Sequence, residues 1–353
     1  MKDTRSKVLF ICRGSVGDGM GHVIRSRSVA AAMKDFAHVR MVVIGDEYVE
    51  NLLVGEQIDY TIIADDRQIG GIFHSFAPEI VIFDLTYFDE GSFRTVSKSN
   101  LTISLSPIFN LFSEVDLVFH RTSIRDKSWS SCGEKPVIKA GLKYAIVSEH
   151  CSKIDEDAYW QNLKHERLAI AISMGGTDAA NKALQVLDTV KAVQGKLLIW
   201  VLLGEGYSHS YQNLVDCMRD SRHEIILAKT NESMWRILST CSLAVLAGGT
   251  TTYESAYAGL PSINTLESED RYFLIQELVE KGVCLCAGHT FEESIKALNP
   301  LISHLNQNRH ELYSMLLKSK DLIDNQGAKR IIDETLKYYW KRQTSLAKTT
   351  ADG

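Results

Sequence analysis

Residues 14–25 form a glycine-rich segment that contains the first candidate catalytic side chain, His22. Glycines at positions 14, 17, 19 and 21 allow tight turns and let the backbone approach a ligand closely. The helical pattern that follows would place unpaired N–H groups and positive potential beside them. Because an ordinary imidazole titrates near neutral pH, it can take a proton from water or a hydroxyl. The segment predicts a histidine base at a ligand site, and the alternative is an ordinary glycine turn with a capping histidine.

Two further glycine turns occur in the second half of the chain, at Ser173–Asp178 and Ala247–Glu254. Each stands where an apolar strand pattern stops and a helical pattern starts, and two such turns in one α/β unit suit a diphosphate. Glu254, one turn into its helix, could accept hydrogen bonds from ribose hydroxyls. The alternative is a capping box with Thr251, and both roles can hold. The predicted nucleotide-binding residues are Gly175, Gly176, Thr177, Asp178, Gly249, Thr250, Thr251 and Glu254.

Short apolar runs separated by amphipathic stretches must position these turns. The runs are rich in Val and Ile and lack polar alternation, which indicates buried parallel strands with helices on both faces. The predicted strands of the first half are Lys7–Cys12, Val39–Ile44, Tyr60–Ile63, Ile80–Phe83, Leu101–Leu105 and Val115–Phe119. Those of the second half are Leu168–Ser173, Lys196–Leu203, Glu224–Leu227, Leu243–Leu246, Ser262–Asn264 and Val283–Leu285. The pattern predicts two doubly wound α/β units.

A chain of 353 residues is long for one domain and fits two. The polar stretch Ser148–Arg167 interrupts the apolar rhythm and is the best boundary. We therefore predict an N-terminal domain over 1–150 and a C-terminal domain over 151–325. Residues 326–353 are predicted to form a C-terminal helix that could cross back to the first domain, with a frayed polar tail from Thr344.

The composition excludes several classes of function. The net charge of −5 argues against a protein that wraps nucleic acid. No apolar run reaches the ~20 residues of a membrane helix, and the N-terminal run is too short for a signal peptide, so stable membrane insertion is not expected. Seven scattered cysteines without zinc spacing fit reduced thiols in the cytoplasm.

The three turns together resemble the two-domain nucleotide-sugar enzymes of the GT-B architecture. Within that group the sequence is most similar to the UDP-2,4-diacetamido-2,4,6-trideoxy-β-L-altropyranose hydrolases of pseudaminic acid biosynthesis, over nearly the whole chain. The matching segments are Gly19–Arg25, Gly141–Val147, Met174–Asp178, Thr250–Glu254 and Ala258–Ser262. The resemblance implies two Rossmann-type domains that face each other across a cleft, with UDP bound by the second domain.

The chain departs from those hydrolases around the sugar. They usually carry Asp-His-Tyr after the fourth strand, where this chain has Asp84-Leu85-Thr86-Tyr87. An acidic residue after the fifth strand is replaced within Ser104–Asn110, and an Asn-Gln or Gln-Gln pair by Asp270-Arg271. The sugar pocket is therefore expected to differ, whereas the UDP half is expected to be retained.

The resemblance implies hydrolysis of a UDP-linked deoxyamino sugar at its anomeric C–O bond, in a pathway like that of pseudaminic acid for surface glycans. His22 would activate water, and no metal or cofactor is expected. The expected substrate contacts are Gly19, Gly21, Arg25, Asp84, Tyr87, Asp270 and Arg271. An inverting glycosyltransferase with the same donor and base, and a hydroxyl acceptor, is the alternative, and a nucleotide-sugar sensor is a third. The sequence indicates no oligomeric state.

Overall fold

The apolar runs fold as parallel strands in a computed structural model of the chain, which describes residues 5–53, 57–98, 101–125, 129, 135–230 and 234–351. The chain divides into two units. The first comprises residues 1–146 and 326–353, and the second comprises residues 147–325. Each unit is an α/β structure with a parallel sheet, so the prediction of two doubly wound units is confirmed.

The sheet of the first unit contains seven strands among the described residues. They are β1 (Lys7–Gly14), β2 (His38–Gly45), β3 (Asp59–Ile63), β4 (Ile80–Asp84), β5 (Leu101–Ser104), β6 (Leu117–His120) and β7 (Val137–Ala140). Their spatial order is β3-β2-β1-β4-β5-β6-β7. The helices in this part of the unit are α1 (Gly21–Met33), α2 (Glu50–Leu53), α3 (Ile69–Phe76) and α4 (Glu90–Val96).

Strand β7 is absent from the sequence-based prediction. It is a four-residue edge strand whose side chains are exposed or half-buried, and it includes the charged Lys139. An edge strand packs less apolar surface than a central one, so the apolar run that reveals a buried strand does not form.

The sheet of the second unit contains six described strands. They are β8 (Leu168–Ser173), β9 (Leu197–Gly204), β10 (Glu224–Thr230), β11 (Leu243–Leu246), β12 (Ser262–Thr265) and β13 (Cys284–Gly288), in the order β10-β9-β8-β11-β12-β13. The helices are α5 (Glu156–Asn162), α6 (Lys182–Val190), α7 (Tyr211–Arg219), α8 (Met234–Leu238), α9 (Thr250–Ala258), α10 (Gln276–Glu280), α11 (Phe291–Gln307) and α12 (Arg309–Ser319).

The C-terminal helix, α13 (Gly327–Ala351), belongs to the first unit. Ile331, Ile332 and Tyr339 are buried in that unit's core, and the Tyr339 hydroxyl donates to Glu79 Oε1 at 2.8 Å. The helix continues to Ala351, so the prediction of a frayed tail from Thr344 is wrong for residues 344–351. None of the helices in the described part of the chain is long and apolar enough to cross a membrane.

Each sheet reverses its strand order at one point. In the first unit the reversal lies between β1 and β4, and in the second it lies between β8 and β11. At such a point the loops that follow the two strands run to opposite faces of the sheet and leave a crevice at its carboxyl edge, where ligands of open α/β sheets bind. The segments that follow these four strands include the three glycine turns found in the sequence and the segment after Asp84.

Candidate functional site

His22 and Asp84 are brought together by the order of the strands. Strand β1 pairs with β4 in register Cys12 to Asp84, so Asp84 ends β4 beside the last residues of β1. The turn after β1 leads into α1 at Gly21, which places His22 in the first turn of that helix. Residues 62 positions apart in sequence therefore meet at the switch point of the first sheet.

The imidazole of His22 is held by the Asp84 carboxylate. Nδ1 of His22 lies 2.7 Å from Oδ1 of Asp84. The Arg25 NH2 group lies 3.0 Å from the same Nδ1 and can only donate, whereas a carboxylate can only accept. The contact with the carboxylate is the shorter of the two and is a hydrogen bond when the proton stands on Nδ1, which is the tautomer taken here. In the neutral ring Nε2 then carries the lone pair, and no described residue lies within hydrogen-bond distance of it. This arrangement prepares Nε2 to accept a proton.

Arg25 completes the group one helical turn after His22. Its Nε donates to Asp84 Oδ2 at 2.7 Å, and its NH2 group donates to Oδ1 of the same carboxylate. The Ser26 hydroxyl lies 3.4 Å from Oδ2. Asp84 has no solvent exposure, and its carboxylate is bonded to protein on both oxygens.

The electrostatics of Asp84 follow from this environment. Burial opposes ionisation, but the Arg25 guanidinium and His22 together hold the pKa of the carboxyl below its usual range. The same buried charge acts with desolvation on its neighbour in β1, because burial and the charge of Asp84 both raise the pKa of the Cys12 thiol. Asp84 is thus a permanent anion at neutral pH, and Cys12 stays protonated.

The loop between β1 and α1 leaves its backbone accessible. Gly19 has φ of +81° and donates its N–H to Ser15 O at 2.9 Å, which closes the turn. Gly21 is exposed at the start of α1, and no side chain caps that helix. A Cβ on either glycine would meet no atom within 4 Å, so the space above both is open, and Gly19 alone of the two has a backbone conformation that favours glycine.

The predicted substrate contacts in the first unit separate into two groups. Arg25 and Asp84 are buried and engage each other, which makes them supports for His22 in this structure rather than exposed contact groups. Tyr87, three residues after Asp84, is 59% exposed. The direct contact with sugar predicted for Asp84 therefore does not agree with its burial.

The two glycine turns of the second unit follow β8 and β11, which are paired neighbours. Gly175 has φ of +100° and Gly248 has φ of +72°, conformations that favour glycine. Gly175, Gly176 and Gly249 are exposed, and a Cβ on Gly175 or Gly249 would meet no atom within 4 Å. The two turns therefore lie at the carboxyl edge of one sheet with open space above them, as anion-binding turns require.

Asp178 has a structural function that the sequence-based prediction did not include. Its Oδ1 accepts from the Lys182 N–H at 2.7 Å and its Oδ2 from the Ala183 N–H at 2.8 Å. Both bonds satisfy N–H groups at the start of α6, and burial raises the pKa of the carboxyl despite them. With Thr177 also buried, the exposed part of this turn is Gly175 and Gly176.

Glu254 does not form the predicted capping box. Helix α9 has Gly249 as its N-cap and no side-chain cap, so Thr251 and Glu254 lie inside the helix. Glu254 is only 6% exposed, and its Oε1 accepts from the Ser148 N–H at 3.1 Å. Burial raises the pKa of this carboxyl, although the Ser148 bond opposes the shift. A buried carboxylate with a single backbone donor retains the capacity to accept from a ligand hydroxyl.

Asp270 and Arg271 lie in a short helical segment, Glu269–Leu274, after β12. Asp270 is exposed, and Arg271 Nε lies 3.8 Å from Asp270 Oδ2. An exposed pair of this length has little electrostatic weight, so both side chains are available to reorient.

Three residues near these groups were missed in the sequence. Asn110 and Arg13 bond the loop that carries Tyr87. Gly204 ends β9, and a Cβ there would collide with the backbone of Gly176. Gly204 directly follows the predicted strand Lys196–Leu203, which was a usable signal. Asn110 stands in the segment Ser104–Asn110, where the chain departs from the hydrolases, whereas Arg13 carries no signal in sequence. No group of three or more metal-ligating side chains comes together among the described residues.

Comparison with known proteins finds no matching family model. An uncharacterized protein of Methanocaldococcus jannaschii is 23% identical over 273 residues, which cover 74% of this chain and 56% of that protein. The match thus spans little more than half the length of that relative.

Solved structures are similar over nearly the whole chain. Acinetobacter baumannii MurG superposes with a TM-score of 0.68 at 16% identity, over 94% of this chain and 99% of that one. Anabaena HepE in complex with UDP-glucose gives 0.65 at 12% identity, over 94% and 99%. S. aureus MnaA with UDP gives 0.62 at 13% identity, over 96% and 97%. These similarities establish the fold, and the predicted GT-B-like α/β class is confirmed.

Proposed function

We propose that this protein is an enzyme that hydrolyses a UDP-linked deoxyamino sugar at the anomeric C–O bond, with His22 as the general base. The observation that carries the proposal is the 2.7 Å contact between His22 Nδ1 and Asp84, which leaves Nε2 as the accepting nitrogen. The same contact gives Asp84 and Arg25 their function, which is to fix the orientation and tautomer of the imidazole.

In the proposed reaction Nε2 removes a proton from a water molecule as the water oxygen forms a bond to C1 of the sugar. The bond from C1 to the β-phosphate oxygen breaks, and its electron pair leaves with UDP. Attack opposite the leaving group inverts the configuration at C1. The imidazolium that forms is stabilised by the Asp84 carboxylate, because a buried anion stabilises a positively charged ring beside it.

The second unit would hold the UDP moiety. Exposed backbone at Gly175, Gly176 and Gly249, with the hydroxyls of Thr250 and Thr251, would bind the diphosphate and stabilise the charge that grows on the leaving oxygen. Glu254 would accept from ribose hydroxyls. Similar folds support this assignment, since Anabaena HepE was solved with UDP-glucose and S. aureus MnaA with UDP.

The choice of sugar and of hydrolysis rests on the sequence resemblance. Tyr87, Asp270 and Arg271, which are not fully buried, are proposed to contact the sugar, with Gly19 and Gly21 beside it. The same base and donor would serve an inverting glycosyltransferase, in which an acceptor hydroxyl replaces water.

A panel of UDP-sugars tests the proposal. The panel includes UDP-N-acetylglucosamine and UDP-linked 2,4-diacetamido-2,4,6-trideoxyhexoses, each with and without candidate hydroxyl acceptors, and UDP release is measured. Release at the same rate without acceptor supports hydrolysis. Release that needs an acceptor would replace hydrolysis with transfer, and binding of UDP-sugar without any release would overturn the enzymatic proposal.

A further inference from the structure

The segment that follows β4, Leu85–Asp89, holds an exposed aromatic ring on a fixed backbone. Tyr87 at its centre is 59% exposed, whereas Leu85 and Phe88 have no exposure. Because Tyr87 is three positions after Asp84, their Cα atoms are at most about 11 Å apart. The backbone that carries the ring therefore lies close in space to the residue that orients His22.

Asn110 fixes the backbone on both sides of Tyr87. The Asn110 N–H donates to Thr86 O at 2.9 Å. Its side chain accepts from the Phe88 N–H at 2.9 Å and donates to Phe88 O at 3.0 Å. The side-chain amide of Asn110 thus accepts from and donates to the backbone of Phe88, as a residue on a neighbouring strand does in a β-sheet.

Arg13 and Asp66 bond the remaining part of the segment. Arg13 NH2 lies 3.5 Å from Tyr87 O and 3.6 Å from Asp66 Oδ2. Asp66 Oδ2 also accepts from the Asp89 N–H at 2.8 Å. Asp66 is buried, so a side chain from a different loop fixes the start of α4.

Packing beneath the segment adds to its rigidity. The Phe88 ring lies 5.4 Å from that of Phe83, and Phe109, next to Asn110, stacks on Phe83 at 5.3 Å. An exposed loop can satisfy its backbone with water, yet this one is bonded by side chains from three other segments. Ordering a loop when a ligand binds costs conformational entropy. Because this backbone is already ordered before binding, that cost does not weaken the binding of a ligand to the exposed ring.

We propose that Tyr87 is a preformed platform for the apolar face of the sugar ring, and that Asn110 is the residue that positions it. The inference rests on the proposed function and specifies how the sugar is recognised. A pyranose presents axial C–H groups, and a 6-deoxy sugar adds a methyl group, which suit the face of a phenol ring. Asn110 acts only through Tyr87 and touches no substrate.

Kinetics of four variants on the fastest substrate of the UDP-sugar panel test this proposal. Tyr87→Ala is expected to raise KM by about 3- to 10-fold, the size of one aromatic contact, with little change in kcat or in inhibition by UDP. Tyr87→Phe, which keeps the ring, should have a KM within about 2-fold of the wild-type value. Asn110→Asp keeps the acceptor but loses the donor to Phe88 O, and Asn110→Ala loses both, so KM should rise in that order.

Phe36→Ala provides a matched control. Phe36 is 55% exposed in the same unit, but it precedes β2 and so lies at the amino edge of the parallel sheet. Its removal should leave KM unchanged.

The combination of Tyr87→Ala with Asn110→Ala separates positioning from a general structural effect. If Asn110 acts through Tyr87, the double variant has the KM of Tyr87→Ala alone. If Asn110→Ala raises KM by the same factor in the Tyr87→Ala background as it does alone, or if Tyr87→Ala leaves KM unchanged, the platform is overturned while the proposed function stands. Absence of UDP release from every panel member by the wild type would instead overturn the proposed function, and the platform with it.

Discussion

Replacement of Asp84 by Asn should abolish most of the activity without removing any group that touches the substrate. The Asn side chain can donate to Nδ1 of His22, which favours the tautomer with the proton on Nε2 and removes the lone pair that accepts from water. A positioned base contributes about 10²- to 10⁴-fold to a rate, or about 2.7–5.4 kcal/mol. Because Asp84 supplies the acceptor for the proton on Nδ1, Asp84→Asn should cost nearly as much as His22→Ala.

The same substitution should also destabilise the first unit. Asp84 is fully buried and the Arg25 side chain is 10% exposed, so loss of the carboxylate leaves a nearly buried guanidinium without its counter-charge. Breaking such a pair costs about 3–5 kcal/mol. Activity must therefore be measured well below the melting temperature of the variant. Ser26→Ala is the control, since Ser26 lies 3.4 Å from the same carboxylate and leaves the contact with His22 intact.

The assay is single-turnover release of UDP from the fastest panel substrate, with thermal unfolding measured in parallel. The double variant His22→Ala, Asp84→Asn should be no slower than His22→Ala, because Asp84 acts through the imidazole. Full activity in folded Asp84→Asn, or losses that multiply in the double variant, would refute the assignment of Asp84 as the orienting residue.

Three further outcomes are expected. Burial raises the pKa of Glu254, so its ionised form destabilises the fold above the usual carboxyl pKa. Glu254→Gln should therefore raise the melting temperature. The same variant should bind UDP about 10- to 100-fold more weakly, as measured by calorimetry. Gly204→Ala should weaken UDP binding because its Cβ displaces Gly176, whereas Gly70→Ala, which meets open space, should not. Burial lowers the pKa of His120 to about 3, so the stability from its neutral form is present above pH ~6.5 and lost as pH falls towards 3. In urea unfolding, the free energy of unfolding should fall by on the order of 3 kcal/mol between pH 7 and pH 4, and His120→Gln should make this fall smaller. Equal pH dependence of the free energy of unfolding in the two proteins would contradict this.

Most of the fold could be predicted because buried parallel strands have continuous apolar sequences, which can be recognised without the structure. Twelve strand positions were predicted, and the edge strand Val137–Ala140 was missed because its residues are exposed or half-buried. The extent of α13 beyond residue 344 was missed for a similar reason. Its last turns follow a polar sequence, and a polar stretch at the end of a chain gives no apolar pattern that distinguishes a helix from a frayed tail.

The chemistry of the site was less accessible than its position. Residue type and glycine spacing were enough to propose His22, Gly175 and Gly249 as site residues, since those signals are local. The contact of Asp84 with His22 joins residues 62 positions apart and depends on a strand order that the sequence does not state. The capping bonds of Asp178 likewise depend on where α6 begins, which is a boundary that sequence patterns locate poorly.

The strand order explains why the candidate site residues of both units lie at equivalent places. In each sheet the chain passes from the first strand to one side and returns to the fourth strand on the other, so two strand ends are left without a helix between them. In the first unit these ends carry the turn before His22 and the carboxylate of Asp84, and in the second they carry the two glycine turns. A base needs a side chain fixed by a buried partner, whereas a diphosphate needs bare backbone. In the proposed function the two units thus use one topological feature for different tasks. The difference lies at the fourth strand of each unit, because β4 ends with the buried Asp84 whereas β11 ends with Leu246 and is followed by the turn that contains Gly248 and Gly249.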